Sequence, residues 1–480
     1  MIRSLVTPRV LCRKTPPLWK VSFLCSALLL SACGEDDSDA NANPDGGGTI
    51  DASSVDANAT LDAGADAGLP PELYPSDCFE GTVEVQDTGE LRLGITEHYR
   101  LESQLDTERT EALARLLEAA WPQYARFFGQ EPTLGETERL RVRLFRDAPA
   151  YRAGLAEDGI TGVGGSGGYY EPSNRTAYLF DQPTQYYTQT LLLHEAGHQF
   201  HGTAIVLPRG LPFWYIEGTA EYISRHDWDG RCIRLGIQPL ITQEDDPAEA
   251  LEELTDGSPT LQDILTDSVA GTRPVARSLF RYLNHSANGA LAADFRQMRD
   301  DIHEGVDPAA AFRTHLGPPS SHDEAWLEFL RTDQEPMQTV FLEHVHIGPT
   351  SLLAFSDFFS IAVLKAPVER FQASFAKPDT GGWSGGVVLG YESRSRYEAL
   401  VVRENGRLQR FDVTESARWN DVGPAPAARD GRYAFEVNYR PGFVTVTIND
   451  EAFEFETALP FVSGVAVDSG ELLFEGINWN

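Results

Sequence analysis

Two histidines four positions apart, with a glutamate beside the first, stand out as residues able to do chemistry: His194-Glu195-Ala196-Gly197-His198. On an α-helix, residues four apart share a face, so both imidazoles can grip one metal ion from the same side. Zinc suits such donors. It lowers the pKa of a water it holds toward neutrality, so a carboxylate suffices as base, and Glu195 is placed for that role. The pattern alone should arise by chance in roughly two of a hundred sequences of this composition, and its plain alternative is a pair of core histidines. A third ligand decides between them. Nineteen positions beyond His198 lies Glu217, within Phe213-Trp214-Tyr215-Ile216-Glu217-Gly218-Thr219-Ala220-Glu221-Tyr222. This stretch also reads as helical, which puts Glu217 and Glu221 on one face. Glu217 can complete a site of two histidines and one glutamate with the fourth position open. Glu221 can then accept an N–H from a ligand histidine and fix its tautomer.

His194-Glu195-x-x-His198 with Glu217-Gly218-x-Ala220-Glu221 resembles the gluzincin metallopeptidases, the clan of thermolysin and the HExxH aminopeptidases. Softer echoes follow in Ala276-Arg277-Ser278-Leu279-Phe280-Arg281-Tyr282-Leu283 and in Trp326-Leu327-Glu328-Phe329-Leu330. The resemblance implies one zinc ion, hydrolysis of a peptide or protein substrate, and a cleft along a strand edge above the helix. The competing metzincin pattern fails, because it wants glycine at 201 and a ligand at 204, where this chain has His201 and Ala204. His201 could line the site or be a partly exposed structural histidine. The family's oxyanion is stabilised by a tyrosine or histidine. A tyrosine is expected three residues before Ala276, and this chain has Arg273 there. Arg273 could serve as a cationic donor or lie on the surface at a helix start. Tyr282 reads as core, and His285 is a weaker substitute for the missing donor.

These residues need elements to hold them. The apolar run Leu191-Leu192-Leu193 before His194 implies a buried helix, from about Thr184 to His201, as a preorganised site requires. Thr107 to Phe128 reads as an amphipathic helix, with Leu113, Leu116, Leu117, Ala120, Trp121, Tyr124 and Phe128 at helical spacing. Residues from about 80 to 102 and Leu140–Phe145 alternate as strands, and Tyr169 to Phe180 suggests a hairpin. The glycine-rich loop 162–168 matches no nucleotide-binding fingerprint. Helical patterns then dominate to about Arg331. Beyond about 350 strands alternate, and Phe443–Ile448, Asn449-Asp450 and Ala452–Glu456 read as a hairpin. The expected class is α+β, with a gluzincin-like domain over 73–331, a linker over 332–349 and an all-β jelly-roll sandwich of concanavalin A type over 350–480. Trp383, Tyr391 or Trp419 could stack on a glycan, or be core aromatics of a structural sandwich.

The 480 residues are too many for one ordinary domain. A formal net charge of −33 argues against nucleic acid, whose binding needs clustered Lys and Arg. Residues 1–32 carry a basic lead and a short apolar run, Val21 to Leu30, too short to span a bilayer and suited to a signal peptide. The run ends in Leu30-Ser31-Ala32-Cys33, which resembles the lipobox of bacterial lipoproteins. That resemblance implies a lipidated Cys33 as the only membrane attachment, at the cell envelope. Gly34 after the cysteine favours the outer membrane or cell surface. Residues 33–72 are acidic and nearly devoid of apolar side chains, so they read as a disordered tether. Cys78 and Cys232 are the remaining cysteines, and they could pair or stay as two buried thiols.

Overall fold

The computed structural model describes residues 76–480 except 164, 183, 241–245, 256–258, 270, 340–343, 347–349, 357–358, 379–380 and 415–416. The signal, lipobox and tether readings lie outside the described residues. The protein mixes helix and sheet in its first part and ends in a β-sandwich.

The first part carries strands β1 (Asp77–Cys78), β2 (Glu84–Asp87), β3 (Arg92–Ile95), β4 (Tyr99–Ser103), β5 (Leu140–Phe145), β6 (Gly168–Glu171), β7 (Thr176–Phe180), β8 (His226–Trp228) and β9 (Cys232–Leu235). Its helices are α1 (Thr107–Phe128), α2 (Ala148–Glu157), α3 (Gln185–Ala204), α4 (Phe213–Ser224), α5 (Asp246–Thr255), α6 (Leu261–Leu265), α7 (Arg273–Gly289), α8 (Ala292–His303), α9 (Pro308–His315) and α10 (Asp323–Thr332). The main sheet runs β2-β3-β4-β5-β7-β6. Strands β4, β5 and β7 are parallel, and β6 closes one edge as the antiparallel partner of β7. Every apolar residue expected to face inward from α1 is buried. Asp106 caps that helix through Arg109 N, and Gly129 ends it at φ 77°, a left-handed turn that glycine adopts without strain. The short strands β8 and β9, and helix α2, have too little periodicity to be read from the sequence.

Strand β9 lies between β1 and β8 in a small sheet, where Cys78 and Cys232 face each other across the β1–β9 pair and form a disulfide. It closes a loop of 154 residues. On chain-entropy grounds such a link stabilises by up to about 5 kcal/mol. A Cys78→Ser/Cys232→Ser double variant should therefore unfold at clearly lower urea than the oxidised wild type. Coincident unfolding curves would show that the link contributes nothing.

The sandwich comprises β10 (Met337–Thr339), β11 (His344–His346), β12 (Leu352–Ser356), β13 (Ser360–Leu364), β14 (Arg370–Ala376), β15 (Ser384–Ser393), β16 (Arg396–Arg403), β17 (Arg407–Asp412), β18 (Arg418–Pro424), β19 (Arg432–Arg440), β20 (Phe443–Ile448), β21 (Glu451–Glu456) and β22 (Gly464–Trp479). One sheet runs β10-β13-β22-β15-β16-β17-β18 and the other β11-β12-β22-β14-β19-β20-β21. Strand β22 serves both: residues 464–467 pair with β13 and β15, and residues from 470 onward pair with β12 and β14. The switch falls at Gly470, whose φ of 81° turns the strand where a side chain would strain it. Asn449 and Asp450 join β20 to β21 with positive φ at both, the conformation a two-residue hairpin turn requires. One departure from expectation is the stretch 332–349. It supplies β10 and β11, which pair with β13 and β12, so part of it is sheet and not spacer. Such strands are only three residues long, too short for alternation to show.

Candidate metal centre

Helix α3 presents the histidine pair. Thr184 caps it by accepting from Tyr187 N, and the carboxamide of Gln199 donates to the carbonyls of Arg141 on β5 and Arg175 in the β6–β7 turn. Tyr124 of α1 donates its hydroxyl hydrogen to Leu193 O at 2.8 Å, just before the first histidine. Helix α4 must come close to bring its glutamates to that pair. Gly197 and Gly218 allow it: a Cβ at Gly197 would sit 2.8 Å from Ile223, and one at Gly218 2.8 Å from both Ala276 O and Phe280. The second contact is with α7, whose first residue is Arg273.

The result joins three segments. His194 Nε2 and His198 Nε2 are 3.1 Å apart, Glu217 Oε2 is 3.4 Å from His194 Nε2, and Glu217 Oε1 is 3.6 Å from His198 Nε2. Donors at about 2.0–2.1 Å from a tetrahedral zinc are separated by about 3.3 Å, so this spacing fits the ion. Two further facts fit a cation. The three donor atoms converge within 4.8 Å. Glu217 Oε2 is also buried, and the donors beside it, Arg273 Nη2 at 3.0 Å and His194 Nε2 at 3.4 Å, are poorly aligned with it. A second group of donors, Glu97, His98 and Glu118, reads as packing: His98 Nδ1 bonds Glu118 Oε1 at 2.5 Å and its ring stacks on Trp121.

The electrostatics divide the carboxylates. Burial pushes Glu195 up to about 7, with His194 and Arg273 opposing it. Burial would also raise Glu217, but the hydrogen bond with His194 and the charges of His198 and Arg273 hold it well below the usual carboxylate range. Glu221, likewise buried, is brought down to about 2 by His194, Arg225 and Arg273. Burial lowers His198 to about 4. For His194 burial is outweighed by Glu221 and the hydrogen bond to Glu217, and its pKa is raised. Two carboxylates are thus held ionised and the third is poised near neutrality.

Glu221 Oε1 lies 3.4 Å from His194 Nδ1, on the side of the ring away from His198, where a tautomer-fixing acceptor belongs. Arg273 is no bystander at a helix start. Its guanidinium bonds Glu221 at 2.8 Å and stands 3.3 Å from His194 Nε2. His201 departs from the partly exposed position expected of it. It is buried, stacked on Phe128, with Nε2 3.1 Å from His303 Nε2, and Tyr215 bonds the same nitrogen at 2.8 Å. Tyr282 is core and bonds His322, while His285 bonds Tyr222 twelve residues along α7 from Arg273.

Gly168 is a member of the site that sequence reasoning passed over. It opens the edge strand β6, and a Cβ built there would meet Glu195 Oε1 at 2.6 Å and Cγ at 2.8 Å. The glycine-rich loop ends where backbone must pass against the buried carboxylate. Gly168→Ala should displace Glu195 while leaving the metal donors in place. The hydrolysis proposed below should then fall by about tenfold or more, given how steeply rate depends on the position of a proton-transfer group. Zinc content measured beside activity checks this, and wild-type turnover in the variant would refute it.

In the sandwich Trp383 is buried in the core, and Tyr391 packs under a second apolar cluster on the outer face of one sheet. Trp419 is 37% exposed, but Phe411 stacks on it at 4.4 Å and the Arg403 guanidinium lies 4.1 Å from its ring centroid.

No family model matches the chain, and no curated protein matches it. Among solved structures it is similar to a carbohydrate binding module from Bacillus subtilis, at 11% identity and a TM-score of 0.25, over 30% of this chain and 93% of that one. It is also similar to a homodimeric agglutinin from chicken liver, at 15% identity and a TM-score of 0.21, over 27% of this chain and 99% of that one. A Xenopus laevis galectin aligns at 17% identity and a TM-score of 0.18, over 25% of this chain and 90% of that one.

Proposed function

We propose that the first part of the chain is a gluzincin-like zinc peptidase and that the protein is exported and held at the cell envelope through a lipidated Cys33. The observation that carries the first reading is the convergence of His194, His198 and Glu217 at zinc spacing, with a buried carboxylate beside them. Zinc, when bound, supplies a Lewis acid that polarises water and the scissile carbonyl. The chain's own residues do the rest. Glu195 takes a proton from water and returns it to the leaving nitrogen, and its carboxyl near pH 7 suits both halves of that transfer. Glu221 orients His194. Arg273 offers N–H donors beside the ligand set, where a tyrosine is expected from the resemblance, and serves the developing oxyanion. Strand β6 packs near α3, and its outer edge has no strand partner among the described residues, so an extended peptide can pair with it. Among the described residues no helix is long and apolar enough to cross a membrane.

A second reading makes the protein a surface binder of glycans through its sandwich. A cavity of about 510 Å³, lined by charged and hydroxyl side chains at one mouth of the two sheets, favours it. One experiment separates the two. Purified wild type should hold one zinc per chain and cleave members of a broad peptide library, with cleavage abolished by a chelator. A zinc-loaded protein that cleaves nothing overturns the peptidase reading and favours the glycan-binding one.

A further inference from the structure

Strand β16 alternates cleanly. Tyr397, Ala399 and Val401 point into the outer apolar cluster, while Leu400 and Val402 point between the sheets. Glu398 shares the parity of the second set, so a carboxylate points into the sandwich, where it is only 5% exposed. The neighbouring strand β17 repeats the switch: Leu408 is core, and Arg410, two residues on, bridges to Glu398 at 2.7 Å and to Glu456 O at 3.1 Å. A purely structural sandwich would do as well or better with apolar residues here, because a buried ion pair recovers little of its desolvation cost. The pair is also imperfectly made, since Arg410 Nη2 reaches the buried Glu398 Oε2 at 2.7 Å but is poorly aligned with it.

Glu398 lies beside a space. Arg396, Glu398, Thr414, Phe443, Glu456 and Thr457 are among the residues lining the 510 Å³ cavity, a volume within the range of small-ligand sites. The lining identifies the ligand's chemistry. Two carboxylates accept hydrogen bonds and repel anions. Arg396, whose Nη1 is paired with Glu392 at 2.6 Å, donates through its remaining N–H groups and disfavours cations. Two threonine hydroxyls can do either, and Phe443 offers an apolar ring. A neutral, hydroxyl-rich ligand with one C–H face satisfies all of these at once. We propose that this cavity is a binding site for a neutral saccharide, with Glu398 as the buried acceptor that orients its hydroxyls and Arg396 as the rim donor. The proposal rests on the glycan-binding reading of the sandwich and replaces Trp383 and Trp419 as the residues that would carry it, one buried and the other already stacked.

The test uses the full chain and calorimetric titration with neutral trisaccharides of glucose, galactose or mannose, beside an anionic trigalacturonate. Wild type should bind at least one neutral trisaccharide and not the anion. Glu398→Gln keeps shape and loses the acceptor charge, and Arg396→Ala changes an exposed side chain that folding can spare. Each should weaken binding by about tenfold or more, the loss expected for a charged hydrogen-bond partner. Neutral-sugar binding that is unchanged in both variants overturns this site while leaving the glycan reading intact. Absence of binding to every trisaccharide overturns that reading and the site with it. Preference for the anion overturns the assigned ligand class.

Discussion

Glu195→Gln is expected to fold, to hold zinc as the wild type does, and to hydrolyse peptides two to four orders of magnitude more slowly, the usual worth of a positioned proton-transfer group. The substitution preserves volume against the Gly168 backbone, so the packing that places the side chain survives. It removes only the ability to accept a proton. The three proposed metal donors do not include Glu195, so metal content should not change. The wild type should show an acidic limb in its pH–rate profile from the same group. Burial raises Glu195 to about 7 in the metal-free chain, so the carboxyl holds its proton below that pH and serves as base above it. A nearby dication favours the ionised form and draws the limb lower, so turnover should fall as pH drops from about 7 toward the ordinary carboxylate range. Metal analysis and a peptide assay on the same preparation decide the matter. Wild-type turnover by Glu195→Gln would remove Glu195 from the reaction.

Glu217→Ala should fail differently. It deletes a donor, so zinc per chain should fall well below one and activity should fall with it. The electrostatics add to the loss. Glu217 stands 3.0 Å from Arg273 Nη2, and without it that cation still faces His194 Nε2 at 3.3 Å, now opposed by Glu221 and, more weakly, by Glu195. A positive charge left beside the remaining donors repels the ion. Glu221→Gln makes the contrast. It changes a carboxylate that touches His194 on the far nitrogen, and such outer partners are worth about 10- to 100-fold in metal affinity. Excess zinc should therefore restore Glu221→Gln but restore Glu217→Ala poorly. Equal zinc content in Glu217→Ala and wild type would show that Glu217 is not a ligand.

Much of the framework was legible because its signals are local. The buried face of α1 follows from a 3.6-residue period, and its end from a glycine. The β20–β21 hairpin follows from Asn449-Asp450 between alternating strands. Several very short elements left no comparable trace, among them β8, β9 and the two strands inside 332–349. The burial of His201 left no local signal, because it depends on Phe128, Tyr215 and His303, contributed by three other helices.

By itself the sequence determined that His194 and His198 stand on one helical face with Glu195 beside them, and that Glu217 and Glu221 do likewise on theirs. Helical geometry ties residues four apart whatever surrounds them. Only the tertiary structure decided that those two faces meet at metal spacing, that Arg273 closes on both glutamates, and that Gly168 backs Glu195. The same holds for Glu398, whose strand parity is readable but whose cavity forms only where β16 meets the β20–β21 hairpin. These contacts join residues tens of positions apart, and close packing of whole elements sets them, which no period along the chain encodes.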